Sequence, residues 1–317
     1  MLRRRWQPLK SSLNPNMQPL VTVNILSYNR KDDLRHTLQK VFEQDYKNIE
    51  VVVVDNNSSD NSAEMVKTEF PAVRLLELQK NIGIAGWNEG AKIATGEYLL
   101  FLDDDSYPAQ QTLSSVILQC NRSTIVALDI RYPNGDSYAP YFLQPAKYPT
   151  FIGCGVIIPR IIFTKLKGFE PILFLYAHEE EFTMRALQEG YKVCFLPNEI
   201  VYHICSHKNR QVKNSIDKRK HFYQNRNIII LLLFHFSFSR VVLRIIRMCT
   251  GRILFSMFHG CFFSVVHGLY DGLMISVRNW DKRYILNDDI QSLYSYGKYF
   301  GSFFADGIKG FLRPKWL

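Results

Sequence analysis

Tyr98-Leu99-Leu100-Phe101-Leu102-Asp103-Asp104-Asp105 is an apolar run that ends in three adjacent carboxylates. The apolar half has the composition of a buried strand. Three like charges in a row repel one another and cost stability unless something positive sits beside them. Two readings of that end stand at this point. Asp105-Ser106-Tyr107-Pro108 has the residues of a turn. Alternatively, the carboxylates hold a divalent cation shared with a substrate phosphate, because hard cations take oxygen ligands.

Outward from this stretch, short apolar runs alternate with helical patterns. Residues 20–26 read as a strand, and 32–44 carry helical spacing through Leu34, Leu38, Val41 and Phe42. Residues 49–54 form a second strand, apolar except for Glu50, and Ser59 or Asp60 is placed to cap a helix over 63–69. A third strand over 73–76 and a helix over 85–94 lead into the opening stretch. Such strands, flanked by helices, are the parallel kind buried on both faces. The fold class is therefore α/β with a doubly wound sheet. Ligands of these sheets bind beyond the carboxyl ends of the strands. Ser27-Tyr28-Asn29, Asp55-Asn56-Asn57 and the three aspartates all fall there. Their convergence points to a ligand that carries a phosphate or a nucleotide.

The middle of the chain is less regular. Residues 131–136 give a turn between two strands, and the Gly153-Cys154-Gly155 step allows a tight bend or close approach of a ligand. A helix is expected over 178–188, stopped by Gly190, followed by strands over 193–196 and 200–203. If the last strand continues, His203, Cys205 and His207 share one face, although their spacing matches no common structural zinc site.

The charge of +10 is uneven over the 317 residues. Residues 1–204 hold 21 Lys/Arg and 23 Asp/Glu, whereas residues 205–317 hold 18 and 6. The tail's excess calls for an anionic partner, nucleic acid or lipid. No RNA-binding aromatic motif, zinc-finger spacing or helix-turn-helix is present, so no nucleic acid is expected. The apolar runs at 227–236, 241–246 and 253–277 are interrupted by Arg240, Arg244, Arg247, Arg252, His259, His267 and Asp271, and none is a clean membrane span. They read as amphipathic helices on an anionic membrane surface, or as a helical layer packed on the main domain. The six cysteines contain no Cys-x-x-Cys pair, which fits buried thiols in a reducing compartment. Arg3, Arg4 and Arg5 are followed by a polar stretch rather than an apolar core, so no cleaved signal is expected.

In their order, the motifs resemble family 2 glycosyltransferases of the bacterial surface-glycan type, over about residues 19–207. The resemblance is carried by Val21 to Arg30, by Val53-Val54-Asp55-Asn56-Asn57-Ser58-Ser59-Asp60, and by Asn81-Ile82-Gly83 with Asn88-Glu89-Gly90. Leu102-Asp103-Asp104-Asp105 fits an Asp-x-Asp element, His178-Glu179-Glu180-Glu181 an acidic catalytic helix, and Val201-Tyr202-His203 a late histidine. The resemblance implies the GT-A fold, a Rossmann-like mostly parallel sheet flanked by helices. The expected organisation is a basic segment over 1–18, the GT-A domain over 19–207 and a basic, helical, membrane-associating extension over 208–317.

The same resemblance implies a UDP-, dTDP- or GDP-sugar donor and a divalent metal, Mn²⁺ or Mg²⁺. Asp105 is the expected ligand, with Asp103 bridging metal and ribose and Asp104 beside the donor in a supporting role. His203 would complete the site as a neutral imidazole, unless it is an ordinary strand histidine. Asp55 would bond the base or ribose, Tyr28 would flank the base, and Asn88 would reach the ribose. Asn56, Asn57 and Ser58 read as a turn. Glu179 falls on the general base, and Glu181 would bind acceptor or orient Arg185. His178 departs from the family pattern, which has an acid there. One base and no enzyme nucleophile imply a single displacement with inversion. The expected function is transfer of one hexosyl or deoxyhexosyl unit to a polyprenyl-linked or surface-glycan acceptor. The expected place is the inner face of the plasma membrane, peripherally bound. A nucleotidyltransferase, or a donor-binding scaffold that has lost the base, are the alternatives.

Overall fold

The computed structural model describes residues 18–138, 149–205 and 218–295. The basic N-terminal segment, His207 and most of the polar stretch after it lie outside the described residues. Two compact units are present. Within the described residues the first comprises 18–138, 149–174 and 178–205, and the second 175–177 and 218–295.

The first unit is built on strands β1 (Val21–Ser27), β2 (Ile49–Asp55), β3 (Arg74–Glu77), β4 (Tyr98–Asp103), β5 (Ser106–Pro108), β6 (Thr124–Arg131), β7 (Val156–Pro159) and β8 (Lys192–His203). They form one sheet in the order β3-β2-β1-β4-β7-β6-β8-β5. The β3-β2-β1-β4 half is parallel, while β7 runs antiparallel to β4 and β6, and β5 antiparallel to β8. Helices α1 (Lys31–Phe42), α2 (Ser62–Glu69) and α4 (Thr112–Ile117) cover one face, with Leu34, Leu38, Met65 and Val116 packed on Val23, Val53 and Leu100. Helices α3 (Ala85–Ile93), α5 (Arg160–Lys165) and α6 (His178–Gln188) belong to the other, where Trp87, Ile162 and Phe182 meet Leu99 and Phe101. Alternate residues of β4 thus enter opposite cores, which is why its apolar run is unbroken.

The register places the site. Ser27 stands opposite Asp55, and Leu26 opposite Asp103, so the carboxyl ends of β1, β2 and β4 are level. Ser106 pairs with His203, which brings the end of β8 beside the aspartates.

Three expectations change. The turn reading for residues 105–108 gives way to strand β5, whose backbone groups are taken up by β8. The two strands expected over 193–196 and 200–203 are one, β8. Residues 197–199 are a bulge between the Leu128–Leu196 and Asp129–Ile200 pairs. Buried Glu199 anchors the bulge by accepting hydrogen bonds from Ser115 Oγ (2.5 Å) and Gln119 Nε2 (3.1 Å) of the α4 region. The strand also stops at His203, and Cys205 sits at φ 52°, so a shared face through residue 207 is not formed up to the last described residue.

The second unit holds α7 (Lys218–His235), α8 (Phe238–Phe258), α9 (Phe262–Arg278) and α10 (Asp288–Ser295). Helix α7 is buried on every side from Asn225 to His235, so the run expected to be amphipathic is core. Helices α8 and α9 are the two-faced ones. Val241, Met248 and Ser256 of α8 are buried, while Leu243, Ile246, Met257 and Phe258 are exposed. On α9, Val265 and Leu269 are buried, while Phe263, Tyr270 and Val277 are exposed. The arginines of α8 mostly serve the unit itself: Arg240 pairs with Asp288 at 3.2 Å, Arg244 donates to the Tyr294 carbonyl, and Arg252 to Asn225 Oδ1 at 2.7 Å. No helix among the described residues is long and apolar enough to cross a membrane.

Candidate active site

The three aspartates part company immediately after β4. Asp103 still belongs to the strand end, and its backbone N–H donates to Ser106 Oγ at 2.9 Å. Asp104 turns toward the β1 loop, where Oδ2 accepts the Tyr28 N–H at 3.0 Å and the Arg30 guanidinium lies 3.5 Å from Oδ1. Its carbonyl accepts from Thr37 Oγ1 of α1 at 2.9 Å. Asp104 therefore ties the β4 turn to the β1–α1 connection. Asp105 accepts a hydrogen bond from Arg30 and faces His203 Nε2 at 3.0 Å.

The positive charge that three carboxylates require is thus partly internal, supplied by Arg30. Burial raises both Arg30's neighbours and works against them unequally. It pushes the Asp104 carboxyl well above its usual range, with Asp105 adding to the push. It also raises Asp105, but the hydrogen bond and charge of His203, together with Arg30, outweigh it and hold that carboxyl at about 2. Asp103, with 38% of its side chain exposed, is still pushed up to about 6, by burial among protein groups and by the charges of Asp105 and Glu179. Burial works against the His203 cation, yet Cys154 and the Asp105 carboxylate raise it. Its Nδ1 lies 3.8 Å from Cys154 Sγ and 3.5 Å from Cys205 Sγ, on the ring edge away from the carboxylates.

A divalent cation fits these residues. His203 Nε2 lies 3.0 Å from Asp105 Oδ1 and 3.9 Å from Asp103 Oδ2. Asp103, Cys154 and His203 also present ligand atoms all within 4.8 Å of one another. The carboxylates suit Mn²⁺ or Mg²⁺, and the imidazole favours the transition metal of the two.

Beside this cluster, Asp55 ends β2 with its side chain buried. Its Oδ2 accepts the Ser58 N–H at 2.9 Å, while Oδ1 has no hydrogen-bond partner. A buried carboxylate oxygen without a partner is costly and calls for an explanation. Tyr28, 42% exposed, stands on the adjoining loop. Asn56 is more than a turn residue. It is buried, accepts the Ile82 N–H at 2.9 Å and donates to the Gly83 carbonyl at 3.1 Å. Gly83 has φ +61°, and a Cβ there would overlap the Phe174 carbonyl oxygen, which accepts the Ile84 N–H at 2.8 Å. Phe174, Tyr176 and Ala177 all have positive φ, so the segment entering α6 is strained in the way that functional loops often are.

Asn88, expected to reach the ribose, is engaged within the fold. Its Nδ2 donates to the Phe169 carbonyl at 2.8 Å, and its Oδ1 accepts the Phe169 N–H at 2.9 Å. Helix α3 uses it to fasten the 169 loop. On α6, Glu181 is buried and clamps Arg185 through two contacts of 2.6 Å, and Arg185 donates to the Leu166 and Gly168 carbonyls. Of its two expected roles, the structure supports orienting Arg185. Glu180 is pushed up to about 8 by burial and by Glu179. Glu179 Oε1 lies 3.3 Å from the Gly153 N–H, and its charge is felt at Asp103.

The profile of Glycosyl transferase family 2 matches residues 22–185, just over half of the chain. The chain belongs to that family. The matched segment contains Asp55, the three aspartates and Glu179, and the resemblance read from the motifs is borne out. Two Escherichia coli relatives are the "Uncharacterized glycosyltransferase YibD", 33% identical over 123 residues, and the "UDP-Glc:alpha-D-GlcNAc-diphosphoundecaprenol beta-1,3-glucosyltransferase WfaP", 35% identical over 101 residues. These alignments cover 37% and 31% of this chain, and only 34% and 40% of the relatives. Among solved structures, the mannosyltransferase PcManGT of Pyrobaculum calidifontis, determined with GDP-Man and Mn²⁺, superposes with a TM-score of 0.57 at 17% identity, over 97% of this chain and 84% of that one. This likeness shows the GT-A fold of the family 2 domain.

Sequence reasoning passed over Arg30 as a partner of the aspartates, Cys154 beside His203, and Asn56 as a cross-link. Arg30 had a signal, since a cation three residues beyond the β1 end is placed to meet carboxylates at the neighbouring strand end.

Proposed function

We propose that this family 2 domain transfers one sugar from a nucleotide-diphosphate donor to a hydroxyl of a lipid-linked or surface-glycan acceptor, with inversion. The observation that carries this reading is the convergence of Asp103, Asp105 and His203 at the level carboxyl ends of the strands, next to the unpartnered oxygen of Asp55. Asp55 accepts from the base or ribose, and Tyr28 flanks the base. Asp103, Asp105 and His203 hold the metal, and Asp103 also faces the ribose. When bound, a divalent cation neutralises charge on the departing diphosphate. Ligation by His203 requires its Nε2 proton to leave, which also frees Asp105 Oδ1 while Arg30 keeps Oδ2. Glu179 takes the proton of the acceptor hydroxyl as the new carbon–oxygen bond forms and the bond to the diphosphate breaks.

WfaP is named for a UDP-sugar donor and a diphosphoundecaprenol acceptor, and PcManGT was solved with GDP-Man. These names support a UDP- or GDP-sugar donor and a polyprenyl-linked acceptor here. The exposed apolar faces of α8 and α9 and the basic tail support peripheral attachment to the inner, anionic face of the plasma membrane. A panel of nucleotide sugars with Mn²⁺ and Mg²⁺ tests the chemistry. Turnover retained in both Glu179→Ala and Asp105→Ala would sink it. Failure of the full chain to pellet with anionic liposomes would sink the attachment.

A further inference from the structure

His178 occupies the position where the family pattern has an acid, and its surroundings say what the ring does. It is 4% exposed, with Trp87 at 5.6 Å and Phe169 at 5.2 Å between ring centroids. The cluster around it is otherwise apolar: Phe101, Phe151, Phe163 and Phe182. Phenylalanine would fill this place without burying polar atoms. Instead, two ring nitrogens are buried and neither makes a hydrogen bond. Buried polar atoms of this kind are uncommon and call for an explanation.

Nδ1 lies 3.2 Å from Glu179 Oε2, close but without hydrogen-bond alignment. Nε2 faces Gly153, where a Cβ would come within 2.8 Å of it and 3.4 Å of Glu179 Oε1. A Cβ at 153 would press on the His178 ring and only touch Glu179, and the Gly153 N–H points to Glu179 Oε1 at 3.3 Å. Burial lowers the basicity of His178, against the opposing charges of Glu179 and Glu181, so the ring is neutral and carries one N–H. Catalytic hydrogen bonds are often long without substrate and tighten when it binds.

We propose that His178 is a positioning residue that donates its Nδ1–H to Glu179 Oε2, so that this bond and the Gly153 N–H fix the carboxylate for the acceptor hydroxyl. The inference rests on the assignment of Glu179 as the base. A neutral donor at this place holds the carboxylate without the repulsion that a second acid would bring.

The test uses the full chain with UDP-glucose or GDP-mannose as donor, in Mn²⁺. His178→Phe keeps the packing and removes the donor. It should lower kcat about 10- to 100-fold, as a misplaced catalytic group does, with the donor KM unchanged and no loss of unfolding midpoint. His178→Leu serves if the Phe variant does not fold. His178→Asn, which keeps an N–H near the Nδ1 position, should recover most of kcat. Wild-type kcat in His178→Phe, alongside an inactive Glu179→Ala, overturns the proposal alone. So does an Asn variant as impaired as the Phe variant. An active Glu179→Ala overturns the base assignment and the proposal together.

Discussion

Replacing Arg30 with Gln removes the cation that faces the aspartates. Arg30 hydrogen-bonds Asp105 and lies 3.5 Å from Asp104, with side-chain exposures of 21% for Arg30 and 2% for Asp105. Removing one partner of a buried ion pair costs about 3–5 kcal/mol. Solvent at Arg30 screens part of this, and His203 remains beside Asp105, so about 2–3 kcal/mol is expected. On a chain of this size that lowers Tm by about 3–5 °C. A divalent cation in the same place would supply the missing charge. In the wild type the Arg30 charge opposes it, and in Arg30→Gln it does not. The variant should therefore unfold below the wild type in EDTA and narrow the gap as Mn²⁺ is added. Its apparent Mn²⁺ affinity should be at least about tenfold tighter, or about 1.4 kcal/mol. The wild type gains from Mn²⁺ as well, so at saturation that ratio alone sets the recovery, roughly half of the deficit. Thermal unfolding across a Mn²⁺ series at constant ionic strength measures both effects. The reasoning is refuted if Arg30→Gln matches the wild type in EDTA, or gains no more from Mn²⁺ than the wild type does.

Gly83→Ala puts a side chain at φ +61° and against the Phe174 carbonyl, whose bond from the Ile84 N–H must then break. The left-handed conformation and the lost bond together cost about 2–3 kcal/mol, read as a lower urea midpoint; a loss under about 1 kcal/mol contradicts the close approach. Glu180 is raised to about 8 from 4.5, so its protonated form is favoured on folding. The stability it contributes is full below about pH 4.5 and is lost as pH rises through about 8. Glu180→Gln should gain on the wild type in urea near the upper end of that window and not at the lower end. Asp55→Asn keeps an acceptor for Ser58 but removes the negative charge and one acceptor oxygen offered to a nucleotide. It should weaken UDP or GDP binding about tenfold by calorimetry, and an unchanged Kd would remove Asp55 from the donor site.

Much of the fold was legible because its signals are local. The runs of β1, β2 and β4 are apolar on both faces, and α6 begins and ends where its acidic start and Gly190 place it. What failed were segments whose state is decided by a distant partner. Residues 106–108 are a strand only because β8 lies beside them, and residues 197–199 are a bulge only because β6 holds the register on either side. Within the site, the residue types were readable and their partners were not. Asn88 has the chemistry to bind a ribose, but the Phe169 backbone, distant in sequence, takes both ends of its amide. Arg240, Arg244 and Arg252 look like a lipid-facing row until the contacts made by α8 use them up.

The aspartates show how one motif divides its tasks through geometry rather than residue type. Asp103 ends a parallel strand opposite Leu26, one residue before the Ser27–Asp55 pair, and its carboxylate stays partly open. Asp104 is one residue farther, and its bonds to Tyr28 and Thr37 make it the tie that holds the β1 loop against the turn. Asp105 then meets His203 because β5 pairs with β8 at Ser106, the next residue. The order therefore cannot be permuted. Shifting the turn by one residue would offer Asp104 to the histidine and leave the Tyr28 loop without its anchor. The same argument explains why an internal cation is needed. Until a divalent ion arrives, Asp105 and Asp104 share Arg30, and the site keeps its shape with its carboxylates close together.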